Sequence, residues 1–427
     1  MKYLFITGLM MLTASCSTGK TDVQKAAVKS GMLNEFIIMA YSGPPLEEVN
    51  LERYQEIADS GIGYLVPANG AFNAEQNLKA MELGAQVGVG IIPVDLRLSP
   101  FELKPDMDID VAAIKSIVDS YKDNPALAAY VVKDEPGGDL FPALKEICDI
   151  FRAEDPAREP LINLFPNYGT IHQFGVDDYP TYIRSFLATV KPGLLAYDSY
   201  PLRNGGVTIY DDWYSNLEIV RDEARKAEIP FLVFIQSQGI KEGLRVPNRA
   251  EILWQVNTVL AYGAQGVGWF TYWTPVPDQG FQQVEGAEPP IVESHYNAMI
   301  DINGNRTEVY GYVREANLYL KKAGRGLLGW ESTDVARYEA GKMIEGGASP
   351  IVVPNGNDAN IVIGTFRKDG RIRLVISNAR CDVPAGFSLK LSGEHKIAGV
   401  FSSIDADPAG KLEWNLKPGG SIVLDMK

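Results

Sequence analysis

Cysteine and histidine are scarce in this chain, at three each among 427 residues. Beyond Cys16 only Cys148 and Cys381 remain, too far apart to suggest a structural disulfide framework. His172, His295 and His395 are scattered, so no zinc or soft-metal spacing is present, and no cofactor is expected. Basic residues are also short: 40 Lys and Arg face 54 Asp and Glu, a net charge of -14. A nucleic-acid partner needs a basic face that releases counterions, and that class is excluded. No strand-to-helix turn carries a dinucleotide or P-loop glycine fingerprint.

Long hydrophobic runs are missing too. The N-terminus has a lysine, then an apolar stretch too short to span a bilayer, then small residues ending at Cys16. Residues 1–16 therefore read as a signal peptide. They resemble a bacterial lipoprotein signal, in which the cysteine is acylated and becomes the new N-terminus, although Thr13 stands where that pattern prefers leucine. The resemblance implies an exported protein held to a membrane through a lipid on Cys16. Residues 17–33 are small and polar, as in a tether.

What is present is a repeated unit. Apolar runs at 35–41, 62–67, 87–94, 127–136, 161–165, 193–197, 230–235 and 266–270 alternate with helix-spaced stretches at 46–60, 73–83, 111–121, 140–153, 182–190, 213–227 and 249–262, and 309–323 supplies a closing helix. Eight strands in strict alternation with helices predict a (β/α)8 TIM barrel over 34–335. After about residue 340 the pattern turns to short alternating runs at 360–365, 372–377, 387–391, 395–401, 412–415 and 421–424, separated by turns such as 417–420. An all-β sandwich over 340–427 is expected, packed on the barrel as a structural module.

The run 127–136 organises the reading. Bounded by Pro125 and by Pro136, Gly137 and Gly138, it delivers Asp134 and Glu135 to the C-terminal end of the fourth strand, where parallel barrels build their sites. A capping role for Asp134 is the plainer alternative. Residues at or just past the other strand ends are Tyr41, Asn69, Asp95, Arg97, Asn163, Asn167, Asp198, Tyr200, Gln236, Gln238, Tyr272 and Trp273. Amides, carboxylates and aromatic rings in that mixture suit a sugar, whose hydroxyls pair with donors and acceptors and whose C–H faces stack on rings. The expected partner is an oligosaccharide or polysaccharide.

At these residues the chain resembles a family. Tyr130-Val131-Val132-Lys133-Asp134-Glu135-Pro136 looks like the fourth strand of clan A glycoside hydrolases, where an Asn-Glu pair, often followed by Pro, places the acid/base glutamate. The segment 301–304, with Tyr310, Tyr312 and 318–320, is similar to the way such barrels, the family 42 type among them, end before a β-sandwich. The resemblance implies that Glu135 donates a proton to the glycosidic oxygen.

Two departures follow. Asp134 stands where the family has Asn, and the seventh strand ends Gln236-Ser237-Gln238 where a nucleophilic Glu is expected; an amide cannot form the covalent glycosyl ester. One reading gives the second carboxylate to Asp198, with Asp95, Glu285, Glu288 or Glu293 behind it. Another has the substrate supply the nucleophile. The adjacent Asp-Glu resembles hexosaminidase families 20 and 123, whose Asp orients a 2-acetamido group, and Tyr197-Asp198 resembles a pair in family 18. A third is a barrel that binds glycan without cleaving it. Lysine-based chemistry has only Lys133 as its candidate base at the mouth.

Overall fold

The computed structural model describes residues 31–68, 70–98, 103–275, 295–347, 349, 351–356, 359–390, 396–410 and 412–427. Cys16, with the signal and most of the tether, lies outside them, as do Asn69, Glu285, Glu288, Glu293 and His395.

Eight parallel strands form the first sheet: β1 (Ile37–Ala40), β2 (Tyr64–Leu65), β3 (Gly90–Ile91), β4 (Tyr130–Asp134), β5 (Pro160–Leu164), β6 (Leu195–Ser199), β7 (Phe231–Gln236) and β8 (Gly266–Phe270). Their order runs β3-β2-β1-β8-β7-β6-β5-β4. The ends of that order meet: Ile91 N–H donates to Ala126 O at 2.6 Å, Ala128 N–H to Ile91 O at 2.9 Å and Val131 N–H to Pro93 O at 3.1 Å. These bonds close the sheet into the predicted barrel. Its interior holds Ile37, Met39, Val66, Ile92, Leu161, Ala196, Leu232 and Phe234, all buried. The opposite strand faces pack on the helices through Ile38, Tyr130, Val132, Ile162 and Val267.

A helix follows each strand: α1 (Leu51–Asp59), α2 (Ala74–Val87), α3 (Val111–Tyr121), α4 (Phe141–Glu154), α5 (Tyr179–Val190), α6 (Tyr210–Lys226), α7 (Arg249–Ala261) and α8 (Glu308–Leu327). Several start where a side chain satisfies a free helix N–H. Asn73 with Gln76, and Asn248 with Glu251, form reciprocal capping boxes, while Asn50 and Asp178 cap α1 and α5. The Asn50 cap explains why the single helical stretch expected over 46–60 is instead a short turn at Leu46–Glu48 followed by α1.

The C-terminal domain is antiparallel: β9 (Glu331–Glu339), β10 (Lys342–Glu345), β11 (Val352–Pro354), β12 (Ile361–Lys368), β13 (Arg371–Asn378), β14 (Ala385–Leu389), β15 (Ile397–Pro408) and β16 (Glu413–Met426). It begins at Glu331, ahead of residue 340, because β9 pairs along its length with β12. The two runs expected at 412–415 and 421–424 are one strand. Its first part pairs with β14 and its second with β13, so it crosses between the two faces of the sandwich, with Gly419 at φ 71° between them. Phe387, Leu416, Ile376 and Leu424 lie buried between the faces.

Helix α7 joins the domains. It is buried all round, since it covers the barrel on one side and the sandwich on the other. Trp254 Nε1 donates to Ala379 O at 3.1 Å and Asn257 Nδ2 to Gly419 O at 2.8 Å. Any side chain at residue 419 would come within 2.2 Å of Ala250 O, so the close approach requires glycine.

Candidate active site

Strand β4 carries a bulge. Val131 pairs with Leu161 and Lys133 with Ile162, leaving Val132 without a partner in β5. The extra residue shifts the phase of the strand, so that Asp134 comes opposite Asn163 and both Lys133 and Asp134 line the barrel mouth. Glu135 extends the pairing by one bond, its N–H donating to Asn163 O at 2.8 Å, but at φ 45°. A non-glycine residue held in that left-handed region costs about 1–3 kcal/mol, and such residues cluster at functional sites. Pro136 ends the strand, and its carbonyl accepts from Tyr182 Oη at 2.7 Å, anchoring the turn to α5.

The mouth encloses a cavity of about 120 Å³, lined among others by Tyr41, Lys133, Asp134, Glu135, Asn163, Asp198, Tyr200 and Phe270. Asn163 Nδ2 donates to Asp134 Oδ1 at 3.0 Å and to Asp198 Oδ1 at 3.1 Å. Asp198, buried at the end of β6, is hydrogen-bonded to Glu135. Burial and the charge of each group on its neighbours oppose ionisation of both carboxyl groups at once.

Burial and the charge of Asp134 push the Glu135 carboxyl up to about 7, against smaller opposing effects of Asp198 and Lys133. Burial, with the charges of Glu135 and Asp134, raises Asp198 well above the carboxylate range. Asp134 is also raised by burial; Asn163 and Lys133 oppose this. Its side chain is exposed and lines the cavity, so it is reachable from the mouth. Burial lowers Lys133, opposed by Asp134 and Glu135.

An aromatic wall faces the acids. Tyr200 stacks on Phe270 with centroids 5.0 Å apart and planes 26° apart, and Tyr41 packs on the same ring at 6.2 Å. Burial raises both phenols, which remain hydrogen-bond donors. Tyr168 Oη accepts from Tyr200 N–H at 2.9 Å and is covered by the Arg203 guanidinium, 4.7 Å above its ring.

Of the residues singled out in the sequence, Tyr41, Asp134, Glu135, Asn163, Asp198 and Tyr200 come together at this mouth. Others have different employment. Asp95 takes a two-pronged ion pair from Arg97, at 2.9 and 2.8 Å, and a bond from Tyr121; Arg97 also reaches Ser116 and Ser120, so the pair ties the third strand's loop to α3. Asn167 Nδ2 donates to Asp212 O at 3.0 Å and its N–H to Asn216, which turns it toward α6.

Gln236 is fully buried. Its Oε1 accepts from Leu202 N–H at 3.1 Å and its Nε2 donates to the carbonyls of Leu202, Gln238 and Arg245, so it staples the loops after β6 and β7. Gln238 bridges Thr271 and His295, and Trp273 is buried beneath Arg53. None of these six side chains lines the cavity. Phe270, Phe234 and Tyr168 escaped the sequence reading. Phe270 is the last residue of β8, and a search for polar or aromatic residues just past that strand selects Tyr272 and Trp273 instead.

Among the described residues, no group of three or more His, Cys, Asp or Glu side chains could hold a metal ion, and no helix is long and apolar enough to cross a membrane. Cys148 and Cys381 are both buried and unpaired.

No family model and no curated protein matches the chain. Solved structures do share its fold. A glycoside hydrolase family 5 protein from Bacteroides vulgatus ATCC 8482 superposes with TM-score 0.53 at 13% identity, covering 91% of this chain and 88% of that one. A β-galactosidase from Rahnella sp. R3 gives 0.54 at 9%, covering 90% and 98%. The β-galactosidase of Marinomonas ef1 gives 0.51 at 11%, and there this chain spans only 62% of the other's length. At such identities the likeness establishes the fold alone: a barrel and an appended domain of a kind found among glycoside hydrolases.

Proposed function

We propose that the barrel hydrolyses glycosidic bonds, with Glu135 as the proton donor. The observation that carries this is a carboxyl group pushed up to about 7, at the C-terminal end of strand β4, in a mouth walled by Tyr41, Tyr200 and Phe270. A glycosidase acid must hold its proton near neutral pH, and its sugar must find rings to stack on.

The interaction of Glu135 with Asp198 bears on how the second carboxylate is used. A retaining nucleophile stands ~5 Å from the acid and an inverting base ~6.5–9.5 Å. Asp198 is hydrogen-bonded to Glu135, which suits a group that holds and tunes the acid's proton better than one that attacks from the far side of the sugar. Asp134, held by Asn163 and exposed at the mouth, is the other carboxylate of the set, and its place beside Glu135 supports the substrate-assisted route of the Asp-Glu families. In that route Glu135 protonates the leaving oxygen as the C1–O bond breaks, and the carbonyl oxygen of a 2-acetamido group closes on C1. Asp134 accepts from the acetamido N–H and balances the developing positive charge. Water, giving its proton to Glu135, then opens the ring.

The same proposal includes export with a lipid on Cys16, so that the barrel works on oligosaccharide or polysaccharide at a membrane surface. Loss of metabolic lipid labelling in Cys16→Ser tests that part.

For the reaction, products released from a panel of glycans are measured by mass spectrometry with wild type and Glu135→Gln side by side. Release of N-acetylhexosamine by wild type alone is the expected result. Release of only neutral hexose or pentose overturns the acetamido route, and equal release by both proteins overturns Glu135 as the acid. Saturable binding without turnover across the panel establishes a glycan-binding barrel instead.

A further inference from the structure

Sequence position suggests that Asn163 contacts substrate, but its hydrogen bonds are already committed. Its Nδ2 donates to Asp134 at 3.0 Å and to Asp198 at 3.1 Å, and its main-chain oxygen accepts the Glu135 N–H at 2.8 Å. One residue therefore touches all three acidic residues of the mouth. Its orientation is fixed by them: turned over, the amide would set its oxygen against two carboxyl oxygens. The cost is visible on the other side, where Asn163 Oδ1 is buried and accepts no hydrogen bond.

We propose that Asn163 is a positioning residue that sets the proton affinity of Glu135 through Asp134 and Asp198. The proposal rests on the reading of Glu135 as the acid. An N–H that donates to a carboxylate favours its ionised form. At Asp134 this preserves a negative charge beside Glu135, which makes Glu135 hold its proton more tightly. At Asp198 it offsets that group's grip on its proton; a tighter grip would strengthen donation from Asp198 to Glu135 and favour ionised Glu135. Both effects of Asn163 thus act in one direction, toward a protonated Glu135.

The other titratable groups that interact with the acids are Tyr41 just past β1, Lys133 from β4, Tyr168 from the loop after β5, Tyr179 and Tyr182 from α5, Tyr197 from β6 and Tyr200 just past it. The six phenols are held protonated by burial, and Lys133 pulls the affinity of Glu135 down whether or not Asn163 is present. None of them replaces the two amide hydrogens.

The test is a carboxyl carbon-13 NMR titration of Glu135 in the full chain, with the resonance assigned by its loss in Glu135→Gln. It is run in wild type and in Asn163→Leu, which keeps the branched outline and removes both donors, with the smaller Asn163→Ser as a second variant should the first not fold. The midpoint is expected to fall by about one pH unit in either variant. An unchanged midpoint with a native fold leaves Asn163 a merely structural role and overturns the proposal, and a rise contradicts its sign. Because the titration needs no turnover, it reads the proposal even where the glycan panel is silent.

Discussion

Asp198 and Glu135 stand on different strands, β6 and β4, and are joined by a hydrogen bond across the barrel mouth. In the proposed mechanism Asp198 tunes the proton of Glu135 rather than acting as the nucleophile.

Asp198→Asn should therefore be mild. An amide of the same shape keeps a donor toward Glu135, so kcat is expected to stay within about tenfold of wild type. Were Asp198 the nucleophile, the loss would be on the order of 10⁴-fold or more, and single-turnover kinetics separate the two outcomes.

The raised Glu135 sets the pH dependence of rate. The acid form is the active one, so kcat/KM should fall as pH rises through about 7, the value to which burial and Asp134 push this group. A pH profile whose alkaline limb lies above 9 would contradict this assignment.

Stability carries the same signature. Glu135 is raised from 4.5 to about 7 on folding, so its contribution is fully present below about 4.5 and is lost as pH rises through about 7. Glu135→Gln has no charge to bury, and at pH 8.5 it should be more stable than wild type by on the order of 1–3 kcal/mol. Denaturant melts of both proteins at pH 5 and pH 8.5 check this; the gap should open only at the higher pH.

Phe270 supports both Tyr200 and Tyr41 in the wall that faces the acids. Phe270→Ala removes ring contacts worth about 0.5–1.5 kcal/mol, and KM is expected to rise roughly 2- to 12-fold, with a smaller change in kcat. Steady-state kinetics on the substrate found in the glycan panel provide the measurement.

Putting a carboxylate back at the end of strand seven should not restore a family-like nucleophile. Gln236 donates through Nε2 to three buried carbonyls, so Gln236→Glu replaces those bonds with a buried charge facing oxygen atoms. A loss of ~3 kcal/mol or more is expected, together with a lower Tm and no gain in rate, as read by thermal melts and kinetics.

Periodicity by itself determined the architecture. A strand buried on one face by the barrel interior and on the other by helices must be apolar throughout, so Ile37–Ala40 or Phe231–Gln236 can be read as strands without any contact being known. The carboxylate pair at 134 and 135 was legible for a related reason: strand direction in a parallel barrel fixes which end of each run faces the mouth. Local sequence did not reveal which polar side chains point into that mouth. Asp95, Asn167, Gln236 and Gln238 sit at equivalent chain positions, yet each finds a partner in Arg97, Asp212, Leu202 and His295 and is spent on holding loops. The bulge at Val132, the left-handed Glu135 and the amide of Asn163 spanning two carboxyl groups depend on register and on partners 29 and 35 residues apart. Pairing at that range is set by which strands lie side by side and in what register, and no local sequence pattern encodes either.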